Sequence, residues 1–265
     1  MKTALSIAGV DPSGGAGIFA DTNVFIAHKV YAMGVITATT AQNTKGIFGM
    51  QLINPKMISD GINAIFDDIK VDVIKIGVVP SVDIIKSVAN TLRNLPKCPP
   101  IILDPVISCK NDDGNMSIWL EKEGIDAILE YLFPLASVIT PNKIEAQVFS
   151  GIDIKTRDDA KLACEKLLNF KAKSVCLKAG EMKGKSVDLF YDGTNFVVLD
   201  KLDRLNTIHT HGSGCSLSSA IASNIANEDN YIDAVKKAKD YVFEGIKSAK
   251  IIGQGHNPIN HFHNF

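Results

Sequence analysis

The residues best suited to chemistry stand just beyond short apolar runs. Asp104 closes IILD with Pro105 behind it, and Asn142 and Glu145 lie three residues apart in TPNKIEA. The stretch THGSGCSLS sets Cys215 behind Gly212, Ser213 and Gly214, where a run of small residues reads as the start of a helix. A second glycine-rich segment, GVDPSGGAG from Gly9 to Gly17, follows the first apolar run, and its glycines allow a tight turn or a close backbone approach to a ligand. The hard oxygens of Asp104, Asn142 and Glu145 suit Mg2+ carrying phosphates. If a helix starts near Asn142, that residue and Glu145 share its first turn and project toward one point. A Gly-Ser-Gly at a helix start offers unpaired amides to an anion. Metal acid plus anion hole is the equipment of phosphoryl transfer, where positioning and charge neutralisation do most of the catalysis. Taken singly, each residue also has a purely structural reading: Asp104 and Asn142 as turn or cap residues, Glu145 as a first-turn acid, Cys215 as a small buried hydrophobe.

Such residues need a scaffold that gathers several strand ends. Short apolar runs (ALSIAG, GVITATTAQ, VDVIKIGVV, PIILDPV, ASVITPN, KSVCLKAG) read as strands. They alternate with helix-period segments, among them GIFADTNVFIAHKV, VDIIKSVANTL and DDAKLACEKLLNF. In MISDGINAIFDDI, Ile58, Ile62, Ile65, Phe66 and Ile69 share one helical face. KIEAQVFS reads as a helix closed by Gly151, and SVDLFYDGTNFVVLD as a hairpin turning at Asp-Gly. Two helices follow, from about Gly214 to Ala226 and from Tyr231 to about Ile251. This order predicts an α/β fold in one domain over residues 1–265. Its sheet is mostly parallel with a late antiparallel hairpin, and ligands sit at the carboxyl ends of the strands.

A net charge of -1 gives no reason to expect a nucleic acid or an anionic membrane as partner. No run approaches the roughly 20 apolar residues of a membrane span, and the N-terminal run lacks a signal-peptide core, so the cytoplasm is the expected compartment. The five cysteines are widely spread with no C-x-x-C pair, which argues against disulfides and zinc. Two motifs mislead. GAGIFA matches a dinucleotide fingerprint through Gly15, Gly17 and Ala20, but Gln42 stands where the ribose-binding acid belongs. GEMKGKS (180–186) has three residues, not four, before its Gly-Lys, so it reads as an exposed turn instead of a Walker A loop.

AGVDPSGGAGIFAD, TAQNT, IKIGVV, LDPV, TPNKIEA, VDLFYDG, THGSGC and GHNPINHF occur in this order. In that order they resemble the bacterial hydroxymethylpyrimidine and hydroxymethylpyrimidine phosphate kinases, the thiamine-biosynthesis branch of the ribokinase-like superfamily. The resemblance implies a three-layer α/β/α sandwich, ATP and Mg2+ as cofactors, hydroxymethylpyrimidine and its phosphate as substrates, and a homodimer. It implies that Cys215 is the general base facing the substrate hydroxymethyl group, with Gly212, Ser213 and Gly214 holding the phosphoryl group by backbone amides. Asp104, Asn142 and Glu145 match the Mg-ATP positions, with Asp104 and Glu145 toward the metal, and Lys178 matches a phosphate-contacting lysine. Gly9, Asp21 and Gln42 fall on the pyrimidine side. Val78 stands where the family usually has methionine, and LKAGE replaces KGGH at Ala179 and Glu181. A thiol titrating near ~8.5 when free is lowered at a helix N-terminus, so a thiolate at neutral pH is the expectation. Pyridoxal kinases of the same branch are the nearest rival reading, and SCKNDDG around Cys109 resembles their active-site flap; a binder without catalysis is a more distant one.

Overall fold

The computed structural model describes residues 1–110, 116–118, 120–182, 185–199, 203 and 205–263. The chain opens with β1 (Thr3–Val10), α1 (Gly17–Ala27), β2 (Tyr31–Asn43), β3 (Gly46–Leu52) and α2 (Pro55–Asp68). It continues through β4 (Val73–Ile76), α3 (Val82–Arg93), β5 (Ile101–Leu103) and a small ribbon of β6 (Ser108–Lys110) and β7 (Met116–Ile118). Then come α4 (Lys122–Ala127), β8 (Val138–Ile139), α5 (Lys143–Ser150), α6 (Arg157–Leu168), β9 (Val175–Met182) and β10 (Lys185–Tyr191). β11 (Phe196–Leu199), α7 (Ser213–Ala226) and α8 (Tyr231–Lys247) complete the set.

Among the described residues the main sheet runs β11-β10-β9-β8-β5-β4-β1-β2-β3. Its middle, from β2 to β9, is parallel; β3 at one edge and β10 and β11 at the other are antiparallel. Helices cover both faces, as crossover connections require. Strand alternation divides the apolar residues between two cores. Leu5, Ile7, Ile74, Ile76, Ile101, Leu103 and Ile139 pack with α2 to α6, while Ala4, Val73, Ile102, Val138 and Cys176 pack with α1, α7 and α8.

Local sequence sets most helix ends. Asn142 and Glu145 form a reciprocal capping box on α5, Thr156 and Asp159 do the same on α6, and Gly151 stops α5 at φ 69°. Several elements depart from the sequence reading, the β6–β7 ribbon among them. β3 has no mark in the sequence because its side chains are exposed and its run has no buried face; it follows an Asx turn in which Asn43 Oδ1 accepts from the Lys45 amide. The short α4 was also unread, and α8 stops at Lys247, short of Ile251. Residues 111–115 and the Cys109 side chain, on which the flap reading of SCKNDDG falls, lie outside the described residues, as do Trp119, Lys183, Gly184 and the side chain of Glu181. β9 and β10 pair up to Met182 and Lys185, so GEMKGKS sits at the end of a hairpin.

Phe133 is fully buried, with Phe149 and Phe170 rings 5.1 and 6.2 Å away. Phe133→Ala is expected to cost about 3–5 kcal/mol through lost burial and the cavity left behind, read as a lower urea midpoint at unchanged slope. A loss under about 1 kcal/mol would show that this aromatic cluster is not part of the cooperative core.

Candidate active site

Strand parity makes the site. The residues two positions beyond Val73, Ile102, Val138 and Cys176 are Lys75, Asp104, Thr140 and Lys178, so all four continue the rows that face α7. The carboxyl ends of β4, β5, β8 and β9 thus turn polar on one face, directly under a helix whose Ser216, Ser218 and Ser219 are small and buried enough to approach the sheet. Asp104 Oδ1 accepts from Thr140 Oγ1 at 3.1 Å and from Lys178 Nζ at 2.9 Å. Glu145 reaches the same cluster from the first turn of α5, where its Oε2 accepts the Asn142 amide at 2.8 Å.

Two glycine segments close over this row. Gly212 caps α7 at φ 72°, and a Cβ there would lie 1.7 Å from the Gly15 carbonyl oxygen. Gly17, at φ 58°, comes as close to Gly9, where a Cβ would lie 2.2 Å from the carbonyl oxygen. His211 Nε2 lies 2.7 Å from Asp11 Oδ2, and Asp11 Oδ1 in turn accepts from the Ser13 amide and hydroxyl. A Cβ on Gly214 would sit 3.3 Å from Lys178 Nζ and 3.9 Å from Asp104 Oδ2, which fixes how near the helix start comes to the charged row. The Ser213 amide donates to the Thr210 carbonyl at 3.1 Å. It is therefore spent inside the turn; among the described residues the amides of Gly214 and Cys215 carry no such bond, and these point to the donors an anion would use.

The electrostatics follow from burial against charge. Burial alone would raise the Asp104 carboxyl, but Lys178 and Lys75 outweigh it and hold it below its ordinary range. Glu145 goes the other way: burial, reinforced by Asp104, pushes it up to about 7 against the pull of Lys178. Burial would lower Lys178, yet Asp104 and Glu145 keep it charged well above its ordinary range. The Cys215 thiol is pushed up to about 11, chiefly by burial, with Asp104 and Asp21 adding to it and Lys75 and a hydrogen bond from the Gly17 amide opposing it. This overturns the expected thiolate. At the third position of α7 the helix terminus does not offset the loss of water around the sulfur, so the free protein carries the thiol.

A cavity of about 660 Å³ runs over the row. Gly9, Gln42 and Val78 line one end, Asp104, Asn142, Glu145, Lys178 and Gly212 to Cys215 the middle, and Leu217, Val242, Phe243 and Ile246 an apolar far end. Asp21, expected on the pyrimidine side, is absent from this lining. Its carboxylate is fully buried behind α7, where it accepts from Ser6 Oγ (2.6 Å), Ser219 Oγ (2.7 Å) and Lys75 Nζ (2.9 Å). Helical spacing contained the signal, since Asp21 shares its buried stripe with Val24 and Phe25. Sequence reading also missed Lys75, the Asp11–His211 pair and, toward the apolar end, the Asp188–Lys239 ion pair at 3.1 Å. Cys164 and Cys176 are buried in the cores as expected, and Cys98 is exposed.

The family described as phosphomethylpyrimidine kinase matches residues 11–260. A hydroxymethylpyrimidine/phosphomethylpyrimidine kinase of Rhizobium meliloti (strain 1021) is 40% identical over 265 residues, covering 98% of this chain and 97% of the relative. The crystal structure of phosphomethylpyrimidine kinase from Clostridium difficile 630 superposes with a TM-score of 0.81 at 38% identity, over 93% of this chain and 100% of that one. An ADP complex of Bacillus subtilis pyridoxal kinase gives a TM-score of 0.88 at 34% identity, over 98% and 97% of the two chains. No described helix is long and apolar enough to cross a membrane.

Gly212→Ala is expected to weaken binding of a non-hydrolysable ATP analogue at least about tenfold by calorimetry, because backbone, and not a side chain, blocks the new methyl. Gly214→Ala meets only the tip of Lys178 and is expected to cost less. The reverse order would mean that the Gly15–Gly212 contact does not shape the anion site.

Proposed function

Because the chain belongs to the phosphomethylpyrimidine kinase family, we propose that this phosphotransferase carries the γ-phosphoryl group of ATP to hydroxymethylpyrimidine and then to the resulting monophosphate, in thiamine biosynthesis. The observation that carries the reading is the meeting of Asp104, Lys178, Glu145 and the α7 terminus at the middle of one cavity, with Cys215 beside them. The apolar end suits a nucleobase, which leaves the Gln42 and Val78 end to the pyrimidine.

The donor set fits Mg2+. Asp104 and Glu145 are hard-oxygen ligands side by side, and a Glu145 carboxyl raised to about 7 beside Asp104 marks a place where one more positive charge would be stabilising. Asp104 and Glu145 would hold the ion, which when bound would supply positive charge to offset that of the phosphates. Lys178 orients and neutralises phosphate from the floor, and the amides at the start of α7 receive the transferring group.

In the first transfer the substrate hydroxyl oxygen bonds to the γ-phosphorus, the bond to the β,γ-bridging oxygen breaks and ADP leaves. The hydroxyl proton passes to Cys215 Sγ, which enters the step as thiolate. In the second transfer an ionised phosphate oxygen attacks, and there is no proton to remove. A base works in its deprotonated form. With the thiol at about 11, the thiolate fraction at neutral pH is small and rises about tenfold per pH unit through the range from 7 to 9.

Phosphorus NMR with ATP and hydroxymethylpyrimidine is expected to show monophosphate and then diphosphate. Cys215→Ala is expected to slow the first transfer about a hundredfold or more, the second far less, and to abolish the alkaline rise of kcat/KM for the first. Equal loss of both transfers would remove the base role. A larger kcat/KM for pyridoxal would favour the second reading, a pyridoxal kinase, which the similarity to the Bacillus subtilis enzyme keeps open.

We also assign the homodimer contact to the β2–β3 edge, where Ile36 on β2 and Ile47, Phe48, Met50 and Leu52 on β3, the edge strand among the described residues, stand exposed, and the compartment to the cytoplasm. Phe48→Asp is expected to halve the mass measured by light scattering; an unchanged dimer would move the contact elsewhere.

A further inference from the structure

We infer that Lys75, held in place by Asp21, is a positioning residue whose buried positive charge stabilises Cys215 as the thiolate that accepts the substrate proton. The inference rests on the base reading of Cys215 above and extends it to residues outside the cavity.

Lys75 is an anomaly of the fold. It occupies the position after Val73 and Ile74 in a strand whose other side chains are apolar and buried, and it is itself fully buried. A lone ammonium there would shed its proton or unfold the strand, so its charge must be matched within contact distance. Asp21 supplies the match, with both carboxylate oxygens 2.9 Å from Nζ. The same carboxylate binds Ser6 on β1 and Ser219 on α7. One anion thereby joins β1, β4, α1 and α7.

The pair meets α7 one helical turn beyond the reactive sulfur. Cys215 and Ser219 are four residues apart and share one face of α7, and Ser219 is the residue that touches Asp21. Lys75 Nζ points along the sheet toward the strand end, where a Cβ on Gly77 would be only 2.7 Å from it; a side chain at Gly77 would occupy the ammonium's own place. Of the charges that act on the Cys215 sulfur, Lys75 is the strongest, and it opposes the effects of Asp104 and Asp21. Lys75 lies behind the cavity wall and is not among its lining residues, so it acts on substrate only through Cys215 and the floor beneath it.

A fixed cation and a merely structural ion pair predict different kinetics. The two transfers are assayed separately, starting from hydroxymethylpyrimidine and from its monophosphate, with ATP. Lys75→Met is expected to lower kcat of the first transfer about tenfold and of the second less than about threefold, with KM for ATP little changed. Lys75→Met alone leaves Asp21 buried without a counter-ion and can fail to fold. The neutral pair Asp21→Asn with Lys75→Met keeps hydrogen bonds to Ser6 and Ser219, is expected to melt within about 5 °C of the native protein, and should show the same selective loss. Asp21→Asn alone leaves the buried ammonium without its counter-ion, so it is expected to act in the same direction as Lys75→Met, slowing the first transfer more than the second. If Lys75→Met or the neutral pair slows both transfers equally, or if the neutral pair leaves the first transfer unchanged, the residues serve only the fold and the inference falls. If Cys215→Ala itself slows both transfers equally, the base reading falls first, and the cause is separable because the Lys75 variants are not needed to see it.

Discussion

Charge taken out of water at the carboxyl edge of the sheet has to be balanced within that edge. Lys75 and Lys178 are matched by Asp21 and Asp104, each pair in contact at 2.9 Å. Glu145 shares the field of Asp104 and Lys178, and burial, reinforced by Asp104, raises it to about 7 against the pull of Lys178. Added positive charge beside it would favour its carboxylate form. The packing of α7, the reach of α5 and the placement of Cys215 all depend on this arrangement, because each contributes a group that would be costly to bury without the others.

The second organising feature is backbone meeting backbone. Gly212 lies against Gly15, and Gly17 against Gly9, so the segment after β1 and the segment before α7 form one surface with no side chain between them. Asp11 and His211 pin the two together beside that contact. The result is a surface made mostly of peptide groups whose geometry is set by packing, so the anion site proposed for it would need little rearrangement on binding phosphate.

Much of this was legible in the residues. Alternating strands and helices foretold the parallel sheet with its late hairpin, the box of Asn142 and Glu145 foretold the start of α5, and the motifs placed Asp104, Lys178 and Cys215 on a common site. What escaped had physical causes. β3 is an edge strand whose apolar residues face outward, so no inward pattern marks it. Asp21 fits a family motif, and only its helical phase, shared with Val24 and Phe25, says that it turns inward. The thiol of Cys215 depends on how much water and which charges surround it, and neither can be read from a helix terminus alone.

The contacts that complete the site join residues very far apart in the chain. Asp11 and His211 are 200 positions apart, and Asp21 and Ser219 are 198 apart. Closing loops of that length is entropically costly and slow compared with forming the neighbouring β1–α1–β2 unit. Lys75 and Asp21 lose water only where α7 lies over them, and the surroundings of Cys215 exist only where the same helix is docked. The environment of the sulfur is thus a property of contact between the two ends of the chain, not of either segment alone.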